Sequence, residues 1–159
     1  MDTGPVELVP LTEGNLVLLL DAAVRDSDPL EVMTPVEDEP GWTDRRKQAF
    51  LEFHRGRALR AGEPSEYTYL ISVGESIVGA ARLEPRHEDL EAGVWIGRSH
   101  RGRGVGVVVA ERLRELATGF GARRVVAKTT VDNHAARRLL AGATTTVSGD
   151  AVTASLDLD

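Results

Sequence analysis

The chain has 159 residues, 42% of them hydrophobic and 28% charged, with 19 basic against 25 acidic residues for a formal charge of −6. That length and balance describe one soluble domain spanning 1–159. Its longest apolar run, Leu16–Leu20, is far short of the roughly 20 residues a bilayer requires. The acidic surplus argues against a nucleic-acid surface, the lack of cysteine excludes disulfides and thiolate metal sites, and no leader-like segment stands in residues 1–15, so a cytoplasmic location is expected.

Val6–Leu11 reads as a short opening strand, and Glu13–Arg25 as a helix with Leu16, Leu19, Leu20 and Val24 on one side. Asp26–Gly41, with prolines among acidic residues, reads as a loop. Thr43 or Asp44 caps a second helix running to about Arg60, stopped by Ala61-Gly62. Tyr67–Val73, Ser76–Pro85 and Leu90–Gly97 are β-rich runs separated by short turns, which predicts an antiparallel meander. Val105, Val109, Leu113, Leu116 and Phe120 then recur at helical spacing, closed by Gly119 and Gly121. Arg124–Val131 is the next strand, Asp132 or Asn133 caps a short helix to about Leu140, and Ala143–Ser148 with Ala151–Leu156 form a closing hairpin. The order βααβββαβαββ is an α/β fold: a mixed sheet of six or seven strands with helices on both faces.

The junction Ile96-Gly97-Arg98-Ser99-His100-Arg101-Gly102-Arg103-Gly104-Val105-Gly106 joins a strand to a helix through three alternating glycines. Without Cβ atoms the backbone can approach a ligand closely, and the helix aims unpaired N–H groups and its positive dipole end at that spot. A pyrophosphate matches this description. A P-loop would need Gly-Lys-Ser/Thr at the helix start, and a Rossmann fingerprint needs a glycine where Val107 stands, so neither applies. A tight turn without a ligand is the plainer reading, but three glycines weaken local order and want a compensating reason.

Arg-x-x-Gly-x-Gly between strand and helix, with Arg101, Gly104 and Gly106 at the fixed positions, resembles the acetyl-coenzyme A signature of the Gcn5-related N-acetyltransferase (GNAT) family. The element order agrees over nearly the whole chain, and Asp132-Asn133 resembles the branch containing ribosomal-protein N-terminal acetyltransferases. The resemblance implies that amides of Gly102, Arg103, Gly104, Val105 and Gly106 hold the pyrophosphate of acetyl-CoA, with Val107 beginning the helix proper. It also implies that Val94, Trp95 and Ile96 offer a strand edge to the pantetheine arm, that Asn133 bonds that arm, and that Arg137 and Arg138 lie within reach of the phosphates. Arg101 and Arg103 read equally as phosphate partners or as solvated turn residues, Asn133 also reads as a simple helix cap, and Arg137 as a solvated surface residue.

The implied chemistry is direct attack of an amine on the thioester. At the positions where relatives carry a proton-donating tyrosine or serine on the late helix, this chain has Leu140 and Ala136, neither of which can donate. Glu91 is the first candidate for the base, ahead of Glu84, His87 and His100. It also reads as an outward-facing strand residue whose face a single bulge would reverse. Deprotonating a lysine-like amine at pH 7.4 costs roughly 4 kcal/mol, against under about 1 for an α-amine, so a site without a strong base favours the latter. The implied acceptor pocket draws on the loop Met33–Trp42, with Glu37, Asp38 and Glu39, and on Tyr67, Tyr69 and Trp95; a solvated acidic loop with Trp42 over the core is the alternative. The expectation is an acetyl-CoA-dependent N-acetyltransferase acting on a protein N-terminal α-amine or a small-molecule amine. Neither nucleic acid nor membrane is an expected partner, and the closing strands are placed to form a homodimer. A non-catalytic acyl-CoA-binding module that kept the cradle and lost its acid is the alternative.

Overall fold

Local side-chain chemistry sets the helix ends in the computed structural model, which describes residues 4–130 and 143–158. Thr12 accepts from the Asn15 amide while the Asn15 side chain accepts from the Thr12 amide, a reciprocal cap that opens α1 (Glu13–Asp26). The Thr43 hydroxyl accepts from the Arg46 amide and starts α3 (Asp44–Arg57). The stretch expected to be pure loop contains a single further turn, α2 (Pro29–Val32). Asp28 caps it, Pro29 opens it with a preset φ, and the Glu31 carboxylate closes the box on the Asp28 amide.

Strands β1 (Val6–Pro10), β2 (Tyr67–Val73), β3 (Ser76–Arg86), β4 (Asp89–Ile96), β5 (Arg124–Thr130), β6 (Thr144–Ser148) and β7 (Ala151–Asp157) form one sheet in the order β1-β2-β3-β4-β5-β7-β6. All neighbours run antiparallel except β4 and β5, which are parallel and joined by α4 (Val105–Gly119). A mixed seven-stranded sheet with helices on both faces is therefore the observed architecture. The late helix expected after β5, with its Asn133 and Arg137, lies outside the described residues.

Two cores divide along the faces of the sheet. On one, Val105, Val109, Leu113 and Ala117 of α4 pack on Ile71, Ala81, Leu83 and Leu90. On the other, Leu16, Leu19 and Ala23 of α1 and Phe50 of α3 pack on Leu70 and Ala80. Burying such a leucine or phenylalanine contributes on the order of 1.5–3 kcal/mol, so α1, α3 and α4 are held mainly by these stripes.

The functional geometry begins where β4 and β5 part. They are paired only from Asp89–Ala92 against Arg124–Ala127, while β4 continues to Ile96 and β5 to Thr130. Beyond that vertex the sheet opens into a wedge, and the edge of β4 that faces β5 is left without a neighbouring strand. Among the described residues no helix is long and apolar enough to cross a membrane.

Candidate active site

At the open end of the wedge β4 runs through a 3₁₀ turn at Arg98–His100 into the glycine turn. Gly102 and Gly104 take φ of +75° and +82°, values costly for a side-chain-bearing residue, and Gly104 is the N-cap of α4. The helix begins at Val105, where its apolar stripe starts and two residues before the Val107 that the resemblance implies, so Val107 lies inside its first turn. No amide from Gly102 to Val107 donates to a protein acceptor among the described residues. A Cβ built on Gly102 or Gly104 would meet nothing within 4 Å, so both glycines border open space. A row of free N–H groups converging at a helix start, beside space that a side chain would occupy, suits a diphosphate.

The turn is tethered to α1 and α2. Asp26 accepts from the Ser99 amide at 3.1 Å and the Ser99 hydroxyl at 2.6 Å, and its carboxylate lies against the Cα of Gly97, where any side chain would collide with it. Burial works against the Asp26 charge, but the two Ser99 bonds and the nearby His100 and Arg25 outweigh it and hold the pKa below the ordinary carboxylate value. Glu31 binds Arg98 at 3.0 Å and Arg101 at 2.8 Å, and its pKa too is lowered: burial opposes this, while the Asp28 amide and both arginines overcome it. Arg101 also donates to the Ile96 carbonyl at 2.8 Å. Its guanidinium thus braces the turn through Nε and Nη2, held by a carboxylate 70 residues away, while the side chain stays 46% exposed. Arg103 is exposed and makes no ion pair among the described residues, so it keeps the phosphate role open.

The sequence model of the acetyltransferase (GNAT) family matches residues 28–142, well over half of the chain. The chain belongs to that family. It is an N-acetyltransferase with acetyl-CoA as its cofactor, and the free amides at the start of α4 and the open edge of β4 fit that molecule's diphosphate and its extended arm. No curated protein matches the chain. Among solved structures it is similar to the acetyltransferase from Salmonella typhimurium that modifies the N-terminal serine of a 50S ribosomal subunit protein, with TM-score 0.74, 18% identity, and 100% and 98% of the two chains covered. It is also similar to Mycobacterium smegmatis RimJ in complex with CoA-disulfide, with TM-score 0.75, 18% identity, and 98% and 83% covered. A third similar structure is that of mutant forms of the Vibrio cholerae spermidine/spermine N-acetyltransferase SpeG, with TM-score 0.68, 15% identity, and 96% and 93% covered.

Within this GNAT fold the side chains of β4 alternate across the wedge. Val94 is 45% exposed on the α4 face, Ile96 packs into the α4 core, and Trp95 packs into the α1/α3 core. Glu91 lies on the α1/α3 face opposite Glu84, in a β3–β4 register that runs without a bulge from Gly79/Ile96 to Arg86/Asp89. Two carboxylates directly opposed repel unless countered, and here Arg86 reaches Glu84 at 2.8 Å and Glu91 at 3.2 Å. Farther along the same face, Arg57 contacts Glu66 at 3.3 Å, and the buried Glu66 accepts from the Thr68 hydroxyl at 2.7 Å. His87 sits in the β3–β4 turn, at the end of β4 remote from the glycines, whereas His100 is part of the turn that Asp26 holds.

Two residues expected at the acceptor pocket stand elsewhere. Tyr67 and Tyr69 occupy alternate positions that face α4: Tyr67 stacks on Phe120 at 4.6 Å, and Tyr69 lines a cleft of about 650 Å³ against the C-terminal half of α4. The period of a strand predicts that both share a face, but not which one. In the loop before α3 the Glu37, Asp38 and Glu39 side chains are exposed, while Arg46 donates to the carbonyls of Val36, Asp38, Glu39 and Gly41. Trp42 donates to the Ser27 carbonyl at 2.8 Å and meets Phe50 edge-on, so it covers the core. Asp26, Glu31 and Arg46 were not singled out by sequence reasoning; the Asp28-Pro29-x-Glu31 capping pattern is the signal that could have found Glu31.

Because Asp26 fixes Ser99, Asp26→Asn is expected to weaken CoA binding about 5-fold to 10-fold while leaving the fold intact, as measured by titration calorimetry and circular dichroism; unchanged affinity would show that the tether is dispensable.

Proposed function

We propose that the chain transfers acetyl from acetyl-CoA by direct attack of a primary α-amine, the N-terminus of a peptide or protein, with no covalent enzyme intermediate. The observation that carries this reading is the wedge between β4 and β5 running into the row of unpaired amides from Gly102 to Val107. Those amides and Arg103 would hold the diphosphate. The free edge at Val94, Trp95 and Ile96 would bind the arm as an added strand, with Asn133 and Arg137 joining from the segment after β5. When bound, acetyl-CoA supplies an activated thioester carbonyl.

Acceptor approach from the α1/α3 face is supported by Glu91, a carboxylate on that face one residue short of the vertex, which we assign as the base, directly or through a water. A carboxylate is in general too weak a base to strip a lysine, and an α-amine, about half neutral near pH 8, asks less of it. The structural neighbours include one acting on an N-terminal serine and one on spermidine and spermine, so both kinds of amine belong in the test. Free-thiol release would be measured with peptides bearing a free N-terminus, with N-blocked lysine peptides and with polyamines. Turnover with free N-termini at least 10-fold above the other two is expected; preference for lysine or polyamine would overturn the acceptor assignment, and no turnover with any amine would overturn transfer itself.

A further inference from the structure

Arg82, on β3, is the residue of the α1/α3 face that the chemistry above leaves without work. Its side chain lies across Gly93, the first β4 residue past the last β4–β5 pair: a Cβ on Gly93 would stand 2.8 Å from Nε and 3.1 Å from Cζ of Arg82. The guanidinium therefore sits over the vertex of the wedge. It donates no hydrogen bond among the described residues. Its nearest carboxylate oxygens, on Glu84 and Glu91, are 3.8 and 3.7 Å away, and Arg86 holds the same two carboxylates more closely. One terminal nitrogen, Nη1, is sealed from solvent with no acceptor, although the side chain as a whole is one-third exposed. A planar fork of donors left short of oxygen acceptors in a desolvated position is costly, and an incoming carbonyl or carboxylate oxygen would relieve that cost.

We infer that Arg82 is an acceptor-binding residue that selects amines whose amine-bearing carbon also carries a carbonyl group, as every peptide N-terminus does. The inference rests on the acceptor side assigned above and deepens it. Across the open part of the wedge, the register places Lys128 and Thr153 on the same face. A guanidinium short of oxygen acceptors attracts the dipole of a peptide carbonyl and offers nothing to an amine that lacks one. Gly93 is the complementary feature, since any side chain there would push the guanidinium off the vertex.

The test combines binding with turnover. In the presence of CoA, the affinity of a fluorescently labelled free-N-terminus tripeptide amide is measured by anisotropy for the wild type, Arg82→Met and Arg82→Lys. In parallel, acetylation kinetics compare that peptide with propylamine, which has no adjacent carbonyl. Expected are a loss of peptide affinity of at least 10-fold in Arg82→Met and a smaller loss in Arg82→Lys, which preserves the charge on the network and guards against failure to fold. The peptide KM should rise with kcat nearly constant, CoA affinity should hold, and propylamine should be used no worse than by the wild type. Equal losses for peptide and propylamine, or unchanged peptide affinity in both variants, would overturn the inference. Arg82-dependent peptide binding without thiol release would sustain it while overturning acetyl transfer.

Discussion

Gly104→Val is expected to reduce CoA affinity by at least 100-fold, about 3 kcal/mol, while the protein still folds. Gly104 is the N-cap of α4 at φ +82° and ψ 2°, where a β-branched residue is strained by roughly 1–2 kcal/mol. Its Cβ would meet no protein atom within 4 Å, so nothing in the core is displaced and the side chain projects into the space beside the free amides. Relief of the strain would rotate those amides out of convergence, and the isopropyl group would occupy what the diphosphate needs. Gly62→Ala is the control, for Gly62 has φ +85° and equal room but lies in the loop after α3. Calorimetry with CoA should show the affinity lost only in Gly104→Val, with both variants losing a few degrees of melting temperature. Retained affinity in Gly104→Val would mean that the diphosphate does not rest on this turn.

The second large effect is acid lability centred on His54. This residue of α3 is 4% exposed, lies between Phe50 and Phe53 at ring distances of 4.7 and 5.2 Å, and has no partner for either ring nitrogen among the described residues. Burial, aided by the charge of Arg57, lowers its pKa from 6.5 to about 4. The unfolded chain therefore binds a proton there that the folded chain refuses, so stability is complete above pH 6.5 and falls as the pH drops toward 4. The loss amounts to about 3 kcal/mol in all, and roughly 2 of it comes between pH 6.5 and 5, before the carboxylates titrate. His54→Phe should flatten the pH dependence of urea unfolding over that window. A variant with the wild-type slope would place the acid-sensitive group elsewhere.

How far the chain could be read in advance differs by the range of the interaction. The helix start at Glu13, the cap at Thr43, the strand-to-helix glycine turn and the meander were legible, because capping, positive φ and hairpin turns are governed by residues a few positions apart. The order of elements along the chain was legible too, whereas the insertion of β7 between β5 and β6 in the sheet was not. The single turn α2 was missed because prolines and acids read as loop, although Asp28, Pro29 and Glu31 are an ordinary helix-opening set. What lay beyond local pattern was the choice of partner: Glu31 for Arg101, Asp26 for Ser99, and Gly93 beneath Arg82 are each brought together only by the closed fold. Tyr67 and Tyr69 illustrate the same boundary, for strand period groups them on one face while only packing decides that this face meets α4.

The short run of pairing between β4 and β5 has a consequence for cohesion. The leaf made of β1 to β4 and the leaf made of β5, β7 and β6 share one hinge of four residue pairs, so the molecule is joined along its middle by less hydrogen bonding than either leaf contains. A guest that lies in the gap and bonds to both margins becomes, in effect, an eighth strand. Its occupancy and the integrity of the scaffold are then two sides of a single equilibrium.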